Sequence, residues 1–126
     1  MVDVGLLAAA TGLDARTLLE GNAIFTEFKG ALTEQYVMQE LTTLHTDYIG
    51  YWTNERSTSE VDFVVQHRGR VVPIEVKSGE SLGSRSFTLF CRTYQPETAV
   101  KTSALPYHAF ANVVNVPLYA IAAALQ

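Results

Sequence analysis

The residues with the most chemical potential lie in one short stretch, Glu60–Ser78. Two runs of β-forming residues, Glu60–Gln66 and Val71–Ser78, flank His67-Arg68-Gly69-Arg70 there. Alternating valine, isoleucine and phenylalanine predict two strands, and a glycine able to take positive φ predicts a tight turn between them. With Arg68 and Gly69 as the central turn residues, opposed positions have numbers that sum to 137. Asp62 then faces Glu75, and Glu60 faces Lys77. Alternation sets these four charges on one face and Val61, Phe63, Val65, Val72, Ile74 and Val76 on the other, which must be core. Directly opposed side chains have Cβ atoms about 5 Å apart, where like charges repel. Two carboxylates held so closely either share a proton or take a cation. A hard divalent cation such as Mg²⁺ or Mn²⁺ accepts oxygen ligands of this kind. Lys77 beside it could hold an attacking water or stabilise charge developing on a phosphate. A solvent-facing strand face carrying ordinary ion pairs accounts for the same pattern.

A third carboxylate falls on a helix. Phe28, Leu32 and Tyr36, then Val37, Leu41 and Leu44, recur at spacings of three and four and predict a helix over about 26–44. Glu34 shares a stripe with Met38 and Leu41, where a carboxylate is costly to bury without a partner. Placement at the edge of the buried face, reaching solvent, is the alternative. Glu27, seven residues earlier on that stripe, is the reserve, and Glu40 reads as a solvated helix charge.

The remaining elements must position these groups. Val4–Ala10 and Asp14–Leu19 read as two short helices broken at Thr11-Gly12. Ile49–Thr53 has β composition, Ser84–Gln95 reads as a helix, and Thr98–Thr102 and Asn112–Val116 read as strands. A final helix over Pro117–Leu125 opens on proline. Helices around a small mixed sheet define an α/β or α+β chain.

The 126 residues suit a single domain, and 48% hydrophobic content allows a real core. A net charge of -4 counts against a phosphate partner, but the charge is unevenly spread. Residues 1–55 carry two bases against eight acids, a net -6, and residues 56–126 carry seven bases against five acids, a net +2. Cys91 is the single cysteine, reads as core, and with no signal-peptide pattern at the start points to a reducing, cytoplasmic setting. From Thr102 to Gln126 there is no charged residue, yet Pro106, His108, Asn112, Asn115 and Pro117 interrupt the stretch, so no membrane span is expected. That uncharged stretch reads as a buried C-terminal strand and helix, and its apolar character also suggests surface covered by a partner, attached or separate, or by a second copy. Arg68, Arg70 and Arg85, with Arg92 and Lys101, could form a phosphate-facing patch or a solvated basic surface. His45, His67 and His108 show no metal-ligand spacing, and Tyr51 and Trp52 read as packing residues.

Taken in order, Gly30…Glu34 on a helix, Glu60-Val61-Asp62-Phe63-Val64-Val65 and Pro73-Ile74-Glu75-Val76-Lys77-Ser78-Gly79 resemble the PD-(D/E)XK nuclease superfamily, with spacing close to that of archaeal Holliday-junction resolvases. The nearest likeness is the nuclease-like domain of unknown function at the C-terminal end of many bacterial and archaeal AAA+ ATPases. Asp3-Val4-Gly5-Leu6-Leu7 resembles that domain's opening and Val116-Pro117-Leu118-Tyr119 its closing segment. The resemblance implies a restriction-endonuclease-like core in one domain over 1–126, with opening helices over 1–25 and the core over 26–126. It implies that Asp62, Glu75 and the Val76 backbone carbonyl bind Mg²⁺ or Mn²⁺, that Glu34 reaches this metal, and that Lys77 is the catalytic lysine of phosphodiester hydrolysis in DNA. The superfamily's proline–aspartate doublet reads Val61-Asp62 here. No Gly-x-x-x-x-Gly-Lys-Ser/Thr occurs, so the chain reads as a C-terminal part detached from its ATPase.

Overall fold

In the computed structural model the described residues are 23–44, 46–56, 58–77 and 84–125, with side chains from Gly30 onward. The two short helices expected before residue 20, the side chain of Glu27, and His45 lie outside the described residues. Helix α1 (Ala23–Thr42) is followed by strands β1 (Tyr48–Thr53), β2 (Glu60–His67) and β3 (Arg70–Val76), then helix α2 (Arg85–Tyr94). Strands β4 (Ala99–Ser103), β5 (His108–Phe110) and β6 (Val113–Pro117) come next. A 3₁₀ turn (Leu118–Ala120) and the short helix α3 (Ile121–Ala124) close the chain. The six strands form one mixed sheet in the order β1-β2-β3-β4-β6-β5. β3, β4 and β6 run parallel at its centre, and antiparallel pairs stand at both edges.

The β2–β3 hairpin has the expected register, Phe63↔Ile74 through His67↔Arg70. Both central turn residues have positive φ, 52° at Arg68 and 76° at Gly69, the signature of a type I′ turn whose twist suits a hairpin. Pro73 lies one residue before the pairing of β3 with β4 begins at Ile74↔Val100, where a missing N–H costs no ladder bond.

Two apolar layers sandwich the sheet. On one face Val37 and Leu41 of α1, with Ile121 and Leu125 at the chain's end, cover Val65, Val72, Ile74, Val76, Val100 and Val116. On the other, Phe87 and Phe90 of α2 pack on Val61 and Ala99, with Trp52, Val64, Cys91 and Val113 beside them. α2 is closed at its N-terminus by Ser84, whose Oγ accepts from the Phe87 N–H at 3.2 Å. At its C-terminus Gln95 takes a left-handed conformation.

Val61 corrects a sequence expectation, for it faces α2 rather than α1. The cause is a β-bulge. Between Gly50↔Val64 and Trp52↔Val61, β1 advances two residues while β2 advances three. The extra residue at Asp62–Phe63 turns Val61 to the other side of the sheet. Two further differences concern the C-terminal region. β5 has only three residues, all exposed, too short for alternation to announce it. The closing helix is a 3₁₀ turn plus four α-helical residues. Tyr51 is 75% exposed and is not a packing residue, whereas Trp52 makes edge contacts with Phe90 and Tyr94.

Gly69→Ala places a Cβ at a left-handed turn position with no clash but with backbone strain, and is expected to cost about 1–2 kcal/mol. Arg68→Asn, a residue that tolerates positive φ, is expected to raise stability by several tenths of a kcal/mol. Thermal unfolding of both variants checks this, at about 4 °C per kcal/mol for a chain this size. Equal melting temperatures would contradict the turn assignment.

Candidate functional site

The hairpin register brings Asp62 and Glu75 together, but not as a plain opposed pair. The ladder ends at Phe63↔Ile74, and beyond it the Val76 N–H donates to Asp62 Oδ2 at 2.8 Å. A carboxylate thus takes the place of a strand carbonyl, and the bulge in β2 is what re-aims it. Glu75 is buried, 6% exposed, on the sheet face opposite to Ile74 and Val76. Its Oε1 receives Lys77 Nζ at 3.0 Å, and its Oε2 is buried without a hydrogen-bond partner. Lys77 follows β3, and its N–H donates to the Thr102 carbonyl at 2.9 Å. Its ion-pair partner is Glu75, not the Glu60 expected from extending the register, because the ladder stops before that pair forms.

Glu34 lies on the exposed side of α1, one turn before the buried Val37. Enough protein surrounds it that desolvation raises its carboxyl above the ordinary range, and the negative charges of Glu60 and Glu75 raise it further. Asp62 is pushed up to about 7. Burial is the largest cause, the Val76 N–H opposes it, Glu75 and Glu34 add to it, and Lys77 works against it. Glu34, Asp62 and Glu75 therefore share one negative field. Among the described residues, however, no three Asp, Glu, His or Cys side chains stand close enough to ligate a single ion.

Two observations suit a hard cation at Asp62 and Glu75. The donor set is carboxylate oxygen, and the buried, unpartnered Glu75 Oε2 is a group that native proteins rarely leave unsatisfied. Sequence reasoning gave Lys101 no particular place here. It stands beside Glu75 in the parallel β3–β4 register, a neighbour that only strand order reveals. Burial lowers its ammonium below the usual lysine range, Glu75 raises it, and Lys77 lowers it. Its Nζ sits 5.3 Å from the centre of the Phe87 ring.

The arginines are elsewhere. Arg68 and Arg70 occupy the hairpin tip, about 20 Å along β2 from Asp62 at roughly 3.3 Å per residue, so they are not part of the carboxylate site. Arg85 and Arg92, with Ser84, Thr88 and Leu89, line an open groove of about 570 Å³ along α2. Cys91 is half-buried in the α2 layer, and burial raises its thiol, which accords with packing rather than reactivity.

Residues 29–120 match the family model described as a domain of unknown function, DUF4143, and the chain belongs to that family. No curated protein matches the chain. Among the described residues no helix is long and apolar enough to cross a membrane.

The raised carboxyl of Asp62 has a definite thermodynamic sign. The folded chain keeps this proton up to about pH 7, while the unfolded chain releases it near 3.8. The folded state therefore binds more protons between those values, and stability falls as pH rises from about 4 to about 7. Asp62→Asn keeps an acceptor for the Val76 N–H and removes the titration, so its melting temperature should fall less over that interval. Parallel wild-type and variant curves in metal-free buffer would refute the assignment.

Proposed function

We propose that this chain is a metal-dependent nuclease domain of the PD-(D/E)XK type that hydrolyses phosphodiester bonds in DNA. The observation that carries the reading is the buried, unpartnered Glu75 Oε2 beside Asp62, with Lys77 on the other oxygen of the same carboxylate. Asp62, Glu75 and the Val76 carbonyl would hold Mg²⁺ or Mn²⁺, with Glu34 on the helix side. When bound, such an ion lowers the pKa of a coordinated water and offsets charge on a phosphate. The chain's own groups do the rest. The Val76 N–H fixes the Asp62 carboxylate, and Glu75 holds the Lys77 ammonium where it can donate to a non-bridging phosphate oxygen.

The divided charge of the chain agrees with this reading. Removing Glu34, Asp62 and Glu75 from the thirteen acids leaves ten against nine bases, so much of the acidity would be the site itself. Weak DNA binding without a divalent ion follows.

A second reading is favoured by one observation, the lack of three converging ligands among the described residues. In it the same fold is a non-catalytic module that docks DNA or protein for an attached AAA+ ATPase.

Incubation with Mg²⁺ or Mn²⁺ and single-stranded, duplex and branched DNA separates the two. Cleavage by the wild type is expected, and Glu75→Ala or Lys77→Ala should lower its rate by a hundredfold or more. Mn²⁺ at a hundred times its dissociation constant should stabilise the wild type by about 2.7 kcal/mol and leave Glu75→Ala nearly unmoved. Inert wild type with no Mn²⁺-dependent melting shift would overturn the enzyme reading and leave the docking module.

A further inference from the structure

On the α2 side of the sheet, one row of residues runs from the carboxylate site across four strands. The β3–β4 register sets Glu75 beside Lys101, β4–β6 sets Lys101 beside Asn115, and β6–β5 sets Asn115 beside His108. At about 4.8 Å per strand, the row reaches from Glu75 to His108 over about 14 Å. Lys101, His108, Phe110, Val113 and Asn115 line a cleft of about 230 Å³.

Each wall of the cleft has a distinct physical character. Lys101 lines the cleft and is half-buried, with its ammonium 5.3 Å from the centre of the Phe87 ring and Glu75 beside it in the sheet. Asn115 is 3% exposed and fully engaged. Its Oδ1 accepts from Ser103 Oγ at 2.9 Å, and its Nδ2 donates to the carbonyls of Leu105 and Pro106 at 3.2 and 2.9 Å. It is a positioning residue that ties down the turn leading into β5. Phe110, by contrast, is 77% exposed and contributes nothing to either core layer. No acidic side chain lines the cleft, and none occurs from Thr102 to the chain end.

An exposed aromatic ring and a lysine lining one cleft, with no acidic side chain among the lining residues, is an arrangement by which proteins hold unpaired bases. The volume falls below the range usual for a complete small ligand and suits one planar ring system of a longer one. We propose that this cleft is a subsite for one unstacked nucleotide of a DNA strand, its base against Phe110 and His108 and its phosphate facing Lys101. The inference deepens the nuclease reading and rests on it for the position of the cut. At about 3.4 Å of rise per nucleotide, the held nucleotide lies within about four of the carboxylate site. It also names a substrate class, because a base stacked in intact duplex cannot reach Phe110. Single-stranded, frayed or flapped DNA is preferred over blunt duplex.

The test is fluorescence anisotropy with a labelled twelve-nucleotide single strand and a blunt duplex of the same sequence, in Ca²⁺ to hold binding without turnover. Wild type should bind the single strand at least tenfold more tightly than the duplex. Phe110→Ala, a surface change that should leave the melting temperature within a few degrees, should weaken single-strand binding by about 5- to 100-fold. Lys101→Met should reduce the slope of log affinity against log salt by about 0.7. Equal affinity for both DNA forms, or a Phe110→Ala variant that binds like wild type, overturns the subsite while leaving the nuclease reading intact. Strand binding with these variant effects but without metal-dependent cleavage overturns the nuclease reading and keeps the subsite. Absence of any DNA binding removes both.

Discussion

The hydrogen bond from the Val76 N–H to Asp62 Oδ2 closes the β2–β3 hairpin with a carboxylate where a strand carbonyl would ordinarily stand. Much else at this end of the sheet depends on it. The bulge at Asp62–Phe63 supplies the extra residue that lets Asp62 reach β3. The same extra residue turns Val61 under α2, so that one irregularity serves both the site and the second apolar layer. Because the ladder ends here, Glu75 and Lys77 lack cross-strand partners from β2 and turn to each other.

The electrostatic cost of this arrangement is visible in the titration of its members. Asp62 is held up to about 7 by burial and by two neighbouring carboxylates, against the pull of one N–H and one ammonium. A carboxyl raised this far, in a field shared with Glu34 and Glu75, is the environment that a divalent cation would relieve. The two faces of the sheet divide the labour. The α1 face carries the larger apolar cluster and places Glu34 one turn beyond its edge. The α2 face carries Glu75, Lys77 and Lys101, and then opens into the cleft bounded by β5.

Much of the fold was legible in the residues because local rules are strict where they apply. Arg68-Gly69 between two alternating runs admits essentially one register, and that register is present. The helix stripe holds as well, with Val37 and Leu41 fully buried at the expected spacing. Less legible were features that depend on a neighbour distant in sequence. β5 has three exposed residues and exists as a strand through its pairing with β6. The bulge is invisible in β2 alone, since it is defined only by counting against β1.

Residues alone were enough for the hairpin, its tight Arg68-Gly69 turn, the proximity of Asp62 to Glu75 and the helix that bears Glu34, because turn chemistry and side-chain periodicity act over a few residues. Tertiary structure alone decided which face Val61 occupies, that Lys77 pairs with Glu75, and that Lys101 and His108 fall in line with the carboxylates. Those outcomes follow from strand order and from where a ladder stops. Both are set by packing of the whole sheet between its helices, and no stretch of a few residues carries that information.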